Sequence, residues 1–313
     1  MAEVITTTKT ALVTGAGSGI NYCFASLLLS KGYNVVIADL ALRPEAQALV
    51  DQYTDSPRAI FVQTDVTSWK ALRNMFDVAE KEFEGGLDII CPGAGVFEPS
   101  FSNFWNPPGS EGSADDPFGD RYKTIDINLV HPIRVTQLAI EHWKKHWPLK
   151  TTKHLLHLTS IAGQVPLFAS PIYSATKCGL SGFIRSMATL NEVNIRVTGV
   201  APGIVKTPLW TEDKDKMASI DPSQGEWVLP EEVARVMMAL IEQDEINSNV
   251  LKGVDEESSE DATVIQVKPG IIIQVSKKLR EVLTYGDPGP SLDGGNTLSD
   301  FRLAAKATLE KLR

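Results

Sequence analysis

Lys9-Thr10-Ala11-Leu12-Val13-Thr14-Gly15-Ala16-Gly17-Ser18-Gly19-Ile20 decides how the rest of the chain is read. Lys9 to Thr14 has the length and apolar run of a short buried strand, and beyond Gly19 the spacing of Phe24, Leu27 and Leu28 is helical. Glycines between a strand and a helix let a pyrophosphate approach the backbone. The helix N-terminus offers that anion unpaired N–H groups and a partial positive charge. Gly15, Gly17, Ser18, Gly19 and Ile20 are therefore expected to hold a dinucleotide. The next strand, Tyr33-Asn34-Val35-Val36-Ile37-Ala38, ends in Asp39, twenty residues after Gly19. A carboxylate at that distance accepts hydrogen bonds from the adenosine ribose and repels a 2′-phosphate, which favours NAD over NADP. Leu40 follows where a phosphate-binding enzyme often carries an arginine. Arg43 argues the other way, because its guanidinium is long enough to reach a phosphate.

Outward from this unit, strand and helix patterns alternate. After Asp39 come a helix at 44–52, a strand at 58–63, a helix at 68–83 and a strand at 87–91. A long helix covers 122–143, interrupted near Pro132, then a strand 154–159, a helix 171–190 and a strand 195–200. A helix at 230–243 has Pro230 in its first turn with Glu231 and Glu232 suited to its dipole, and a last strand is expected at 264–267. Alternation of this kind predicts an α/β fold, a Rossmann-type doubly wound parallel sheet of about seven strands with helices on both faces, in one domain. Residues 1–276 read as that domain, with an insertion near 97–120 and a substrate lid near 204–229. Residues 277–313 read as a C-terminal extension with a Gly/Pro-rich stretch at 286–295 and an amphipathic piece at 298–312.

Tyr173-Ser174-Ala175-Thr176-Lys177 carries the chemistry. Four residues apart on a helix, Tyr173 and Lys177 share a face, so an ammonium can sit near a phenol and favour its ionised form. Ser160, thirteen residues before the tyrosine, supplies a hydroxyl to hold the reacting oxygen. Together they form acid/base machinery for oxidising an alcohol or reducing a ketone.

With these residues in place the chain resembles a classical short-chain dehydrogenase/reductase, from Lys9 to the strand near 264–267. Its nearest resemblance is to 15-hydroxyprostaglandin-dehydrogenase-like enzymes and fungal secondary-metabolism dehydrogenases. Thr14 to Ile20 resembles the family's glycine loop, Asp65-Val66 its adenine-contacting pair, and Asn128 its structural and proton-relay asparagine, which would complete a catalytic set with Ser160, Tyr173 and Lys177. Pro202, Gly203, Ile204 and Thr207 resemble the segment that covers the nicotinamide. The resemblance implies a homodimer or homotetramer. Two departures stand out: Asn21 replaces the loop's last glycine, and Pro92-Gly93-Ala94-Gly95 replaces Asn-Asn-Ala-Gly, keeping permissive backbone at Gly93 and Gly95 beside Ala94 while losing an asparagine that ties the central strands.

The 313 residues and 43% hydrophobic content suffice for one large core. A net charge of −9 disfavours nucleic acid and anionic membrane surfaces and leaves small neutral or apolar substrates. The N-terminus lacks a basic, apolar leader and no stretch approaches a membrane span, so the expected location is cytoplasmic. Cys23, Cys91 and Cys178 read as packed free thiols in a reducing compartment. His131, His142, His146, His154 and His157 show no ligand spacing, and no metal is expected. Phe97, Phe101, Phe104 and Trp105 suit either an apolar pocket wall or a partner surface. Gln164, Phe168 and Trp210, with Leu209, Met217 and Trp227, are substrate-contact candidates, while the charges at 212–216 read as a solvated face. Three other readings stay open: an NADPH-dependent ketoreductase, an epimerase or dehydratase of the extended type, and a non-catalytic NAD-binding scaffold.

Overall fold

A computed structural model of the protein describes residues 8–218, 220, 223, 226–253, 262–283 and 309–310. The opening unit folds as read: β1 (Thr10–Thr14), α1 (Gly19–Ser30) and β2 (Asn34–Asp39) are followed by α2 (Pro44–Gln52), β3 (Ala59–Gln63), α3 (Trp69–Glu82) and β4 (Ile89–Pro92). β1 is buried along its whole length, as a strand between two helical layers must be. Lys123–Lys144 is one helical run in three parts: α4 (Lys123–Ile125), a π-helical turn (Asp126–Val130) and α5 (His131–Lys144). The expected interruption therefore precedes Pro132. Lacking an N–H, Pro132 cannot bond the Asn128 carbonyl as a regular α-helix would, and the turn before it widens.

β5 (Lys153–Leu158), α6 (Pro171–Ser186) and β6 (Ile195–Pro202) continue the alternation, then two short helices, α7 (Pro208–Thr211) and α8 (Lys214–Ala218), and α9 (Pro230–Glu242). Glu232 caps α9 by accepting the Leu229 N–H at 2.7 Å. The end of the sheet differs from expectation. A strand does form near 264–267, as β8 (Val264–Gln266), but it pairs antiparallel with β7 (Glu245–Asn247) outside the main sheet. Only Ile265 of β8 is buried, whereas β9 (Ile272–Val275) buries three of its four residues and takes the place beside β6. A central strand has to be apolar on both faces, and the Ile271-Ile272-Ile273 run supplies that.

The main sheet has the order β10-β9-β6-β5-β4-β1-β2-β3. Its pairings are parallel except for the antiparallel edge strand β10 (Leu279–Glu281), which lies in the segment read as an extension. One core joins the sheet to α1 and α9, the other to α3, α5 and α6. Leu309 is buried in the second core; the rest of the amphipathic stretch at 298–312, and the Gly/Pro-rich stretch at 286–295, lie outside the described residues.

Candidate active site

The strand order reverses between β1 and β4, the point at which open α/β sheets leave a crevice at the carboxyl ends of their strands. A cleft of about 470 Å³ opens there. One end is built by the glycine turn and β2. The Gly17 N–H donates to Asp39 Oδ2 at 2.8 Å, and the Leu40 N–H to Asp39 Oδ1 at 2.7 Å, so the carboxylate is aimed by backbone. A Cβ on Gly17 would collide with the Ala41 carbonyl and lie 2.8 Å from Asp39 Oδ2. Gly15, Ser18, Gly19, Ile20, Asp65, Val66, Gly93, Ala94 and Gly95 all line the cleft with Asp39.

The other end is built by β5, α6 and the segment after β6. Ser160, Tyr173 and Lys177 line it, with Pro202, Gly203, Thr207 and Trp210 opposite. The Ser160 hydroxyl stands beside the Tyr173 phenol and favours its ionised form. Lys177 Nζ donates to the Leu158 carbonyl at 2.9 Å and stands 5.6 Å from the Tyr173 ring centroid. The sequence spacing led us to expect a phenol made more acidic by this ammonium. Here burial pushes the Tyr173 phenol up, with the Ser160 hydroxyl opposing, and burial pushes Lys177 down to about 8. Desolvation outweighs the pairing because the ammonium is turned toward a carbonyl.

Asn128 sits in the π-helical turn, 1% exposed, its Oδ1 accepting the Val96 N–H at 2.9 Å and its Nδ2 donating to the Val96 carbonyl at 2.8 Å. Both ends of the amide are thus engaged with the chain leaving β4. Behind it, His131 is buried and neutral, pushed down to about 4 by desolvation, and its Nε2 lies 3.0 Å from Thr14 Oγ1, which accepts the Ala94 N–H. The two departures of the sequence meet in space. Asn21 is buried over Gly93, where a Cβ would lie 2.6 Å from Asn21 Nδ2. The asparagine added to α1 fills the volume left free by the glycine after β4.

Asn128, Met217 and Trp227 are not among the residues lining the cleft, nor are three further sequence-derived candidates. Gln164 is bound by Arg280 at 2.7 Å and lines a separate cavity of about 230 Å³. Phe168 is 83% exposed and packs on Trp105 with ring centroids 4.8 Å apart. Ile204, 41% exposed, is not among the lining residues. Phe97 packs on two of the cleft residues, its ring 4.7 Å from Tyr173 and 5.0 Å from Trp210. Glu98, which no motif marked, is 4% exposed and receives the Tyr173 N–H at 2.8 Å and the Phe104 N–H at 3.0 Å, tying the insertion to the first turn of α6. Its φ of 38° lies where side-chain-bearing residues are seldom found. Among the described residues no group of three or more His, Cys, Asp or Glu is placed to hold a metal ion, and no helix is long and apolar enough to cross a membrane.

The sequence pattern of the short chain dehydrogenase family matches residues 9–218. The chain belongs to this family. A mouse relative, 15-hydroxyprostaglandin dehydrogenase [NAD(+)], is 31% identical over 262 residues, 78% of this chain and 89% of its own. The cis-4-hydroxycyclohexanecarboxylate dehydrogenase of Sinomonas cyclohexanicum is 35% identical over 239 residues, 74% of this chain and 88% of its own. Among solved structures, 4-hydroxyisoleucine dehydrogenase complexed with NADH superposes with a TM-score of 0.61 at 26% identity, covering 75% of this chain and 91% of its own. As a short-chain dehydrogenase the protein is an oxidoreductase acting on CH–OH groups with a nicotinamide cofactor. The cleft fits that cofactor: a cradle that a Cβ on Gly17 would fill, a backbone-aimed carboxylate at Asp39, and a buried ammonium at Lys177 whose three donors exceed its one carbonyl partner.

Below about 8 the Lys177 ammonium keeps its proton; as pH rises through about 8 the free protein loses that charge. NADH affinity is expected to fall across the same interval, checked by fluorescence titrations on either side of pH 8. Unchanged affinity would remove Lys177 from cofactor binding. For folding the sign is opposite. Because the folded value lies below the ordinary 10.5, the unfolded chain binds more protons between about 8 and 10.5, so this group's destabilising effect is full below 8 and lifts as pH rises.

Proposed function

We propose that the protein is an NAD-dependent dehydrogenase interconverting a secondary alcohol and a ketone on a small, largely apolar metabolite, with oxidation the favoured direction. The observation that carries this reading is that Ser160, Tyr173 and Lys177 line the same cleft as Gly19 and Asp39. Asp39 and Leu40, the relatives named for NAD(+) and the structures complexed with NADH support NAD. The relatives named for a hydroxyprostaglandin and a hydroxycyclohexanecarboxylate support a hydroxylated substrate. The ring contacts of Phe97 with Tyr173 and Trp210 support an apolar one.

In this proposal the substrate oxygen lies between Ser160 Oγ and the Tyr173 hydroxyl. In oxidation the ionised form of Tyr173 accepts the alcohol proton and then releases it to solvent; in reduction the neutral phenol that burial favours donates its proton to the carbonyl oxygen. Bound in the cleft, NAD supplies the hydride acceptor. Lys177 holds the ribose hydroxyls nearest the reacting end, while Asp39 holds those of the adenosine. Asn128 acts as a positioning residue: with both amide ends on Val96, it fixes the chain after β4 against the π-helical turn. A place in secondary metabolism and a homodimer or homotetramer complete the proposal and rest on the family resemblance; a cytoplasmic setting is supported by the free thiols of Cys23, Cys91 and Cys178.

The test is NADH formation when purified protein and NAD⁺ meet a panel of hydroxylated apolar metabolites, with the products analysed. Ketone and NADH in equal amounts support the proposal. NADH binding without turnover of any panel member would favour a scaffold, and ketone reduction driven by NADPH alone a ketoreductase.

A further inference from the structure

Arg43 and Glu212 join the two walls of the cofactor cleft. Arg43 lines the cleft beside Asp39 and Leu40, and its main-chain N–H donates to the Gly17 carbonyl at 3.2 Å, so the side chain starts from a fixed point of the glycine turn. Glu212 ends α7, whose Pro208, Leu209 and Trp210 line the facing wall. Between them run two parallel hydrogen bonds, Arg43 Nη1 to Glu212 Oε1 at 2.7 Å and Nη2 to Oε2 at 2.5 Å. This fork-on-fork geometry engages one N–H of each terminal nitrogen and sets a carboxylate's charge against the guanidinium.

The pair matters because of what else the cleft contains. Of the residues lining it, Arg43 and Lys177 are cationic, and Lys177 lies at the Tyr173 end. A 2′-phosphate on the ribose addressed by Asp39 would therefore meet one guanidinium, and a lid carboxylate already holds it. We propose that Glu212 is a specificity-determining residue: by occupying Arg43 it withholds that side chain from a 2′-phosphate, so discrimination against NADP is set from the lid as well as by Asp39. The assignment rests on the reading of Asp39 as the ribose-binding carboxylate. It also makes the discrimination depend on lid position, because drawing α7 away releases Arg43. Each partner's titration responds to the other, Arg43 upward and Glu212 downward, as a direct pair requires. Both side chains are exposed, at 39% and 57%, so the pair is open to exchange and not a permanent strut.

The experiment is a titration of the full-length protein with NADH and with NADPH, following nicotinamide fluorescence, in four forms: unmodified, Glu212→Ala, Arg43→Ala and the double variant. Glu212→Ala is expected to tighten NADPH binding about tenfold, the size of one charge-assisted hydrogen bond to phosphate, while NADH stays within about twofold. The gain must vanish in the double variant, because it is Arg43 that delivers it. If NADPH affinity does not respond to Glu212→Ala, or if the gain survives loss of Arg43, the proposal is overturned. NADH separates this outcome from failure of the underlying reading. Absence of NADH binding in all four forms removes the cofactor site itself, whereas NADH binding with an unresponsive NADPH removes only the role of Glu212.

Discussion

Tyr173→Phe is expected to lower turnover by roughly 10²- to 10⁴-fold, the range general acid–base groups supply, while NADH affinity stays within about twofold. The change removes one oxygen and leaves the ring that packs edge-on against Phe97 at 4.7 Å, so the wall of the cleft and the α6 backbone keep their places. What is lost is the hydroxyl beside Ser160, which in the proposed reaction exchanges the proton with substrate. Steady-state rates alongside fluorescence titration separate the two effects. A variant that keeps most of its turnover would show that the proton leaves by another route. A variant that also loses NADH would show that the hydroxyl serves binding.

The second large effect concerns the contact of Asn21 with Gly93. A Gly93→Asn variant is expected to lose about 1–3 kcal/mol of stability from overpacking and to bind NADH poorly, because its Cβ would lie 2.6 Å from Asn21 Nδ2 beside the pyrophosphate turn. Asn21 is 6% exposed on α1 and stands against Gly93 at the edge of the cleft, so an added side chain at 93 has to displace it. Asn21→Gly alone opens the opposite defect, a void plus a glycine inside a helix, the latter costing about 0.3 kcal/mol relative to asparagine. The double variant is expected to recover most of both losses. Thermal melts and NADH titrations of the three variants form a cycle; additive losses in the double variant would show that the two positions are independent.

The expected pair could not be seen in the sequence as a pair. Asn21 and Gly93 were legible as two departures because each breaks a local pattern, but their compensation acts between α1 and the end of β4, which no local spacing reports. What was legible is local in the same sense: a strand, a glycine turn and a helix in order, Asp39 at the end of the next strand, Tyr173 and Lys177 four apart on one helix. The last parallel strand was missed because 264–267 carries strand-forming residues, yet strand-forming residues alone do not distinguish a peripheral hairpin from a sheet interior. Continuous burial does, and the Ile271-Ile272-Ile273 run was the available signal. The direction of the Tyr173 shift was missed for a different reason. Spacing placed Lys177 near the ring but said nothing of the Leu158 carbonyl that takes its proton donor. Gln164 and Phe168 were placed by their position between Ser160 and Tyr173, and the chain there turns outward toward Trp105 and Arg280. Glu212 read as part of a solvated charge run, since a partner 169 residues away leaves no trace in spacing.

Glu98 acts at a distance as an end-cap for α6. The first helical position is Pro171, which has no N–H, and the donor of Tyr173 is satisfied by a carboxylate 75 residues earlier in the chain. The same carboxylate takes the Phe104 N–H from the insertion. Exchanging the 97–120 loop for that of a relative, the natural way to retarget such an enzyme to another alcohol, would thus remove a cap from the helix that presents Tyr173. Chimaeras that retain an acceptor at position 98 should keep the tyrosine in place. Those that do not will have altered two things while intending one, the loop itself and the footing of the helix that carries Tyr173.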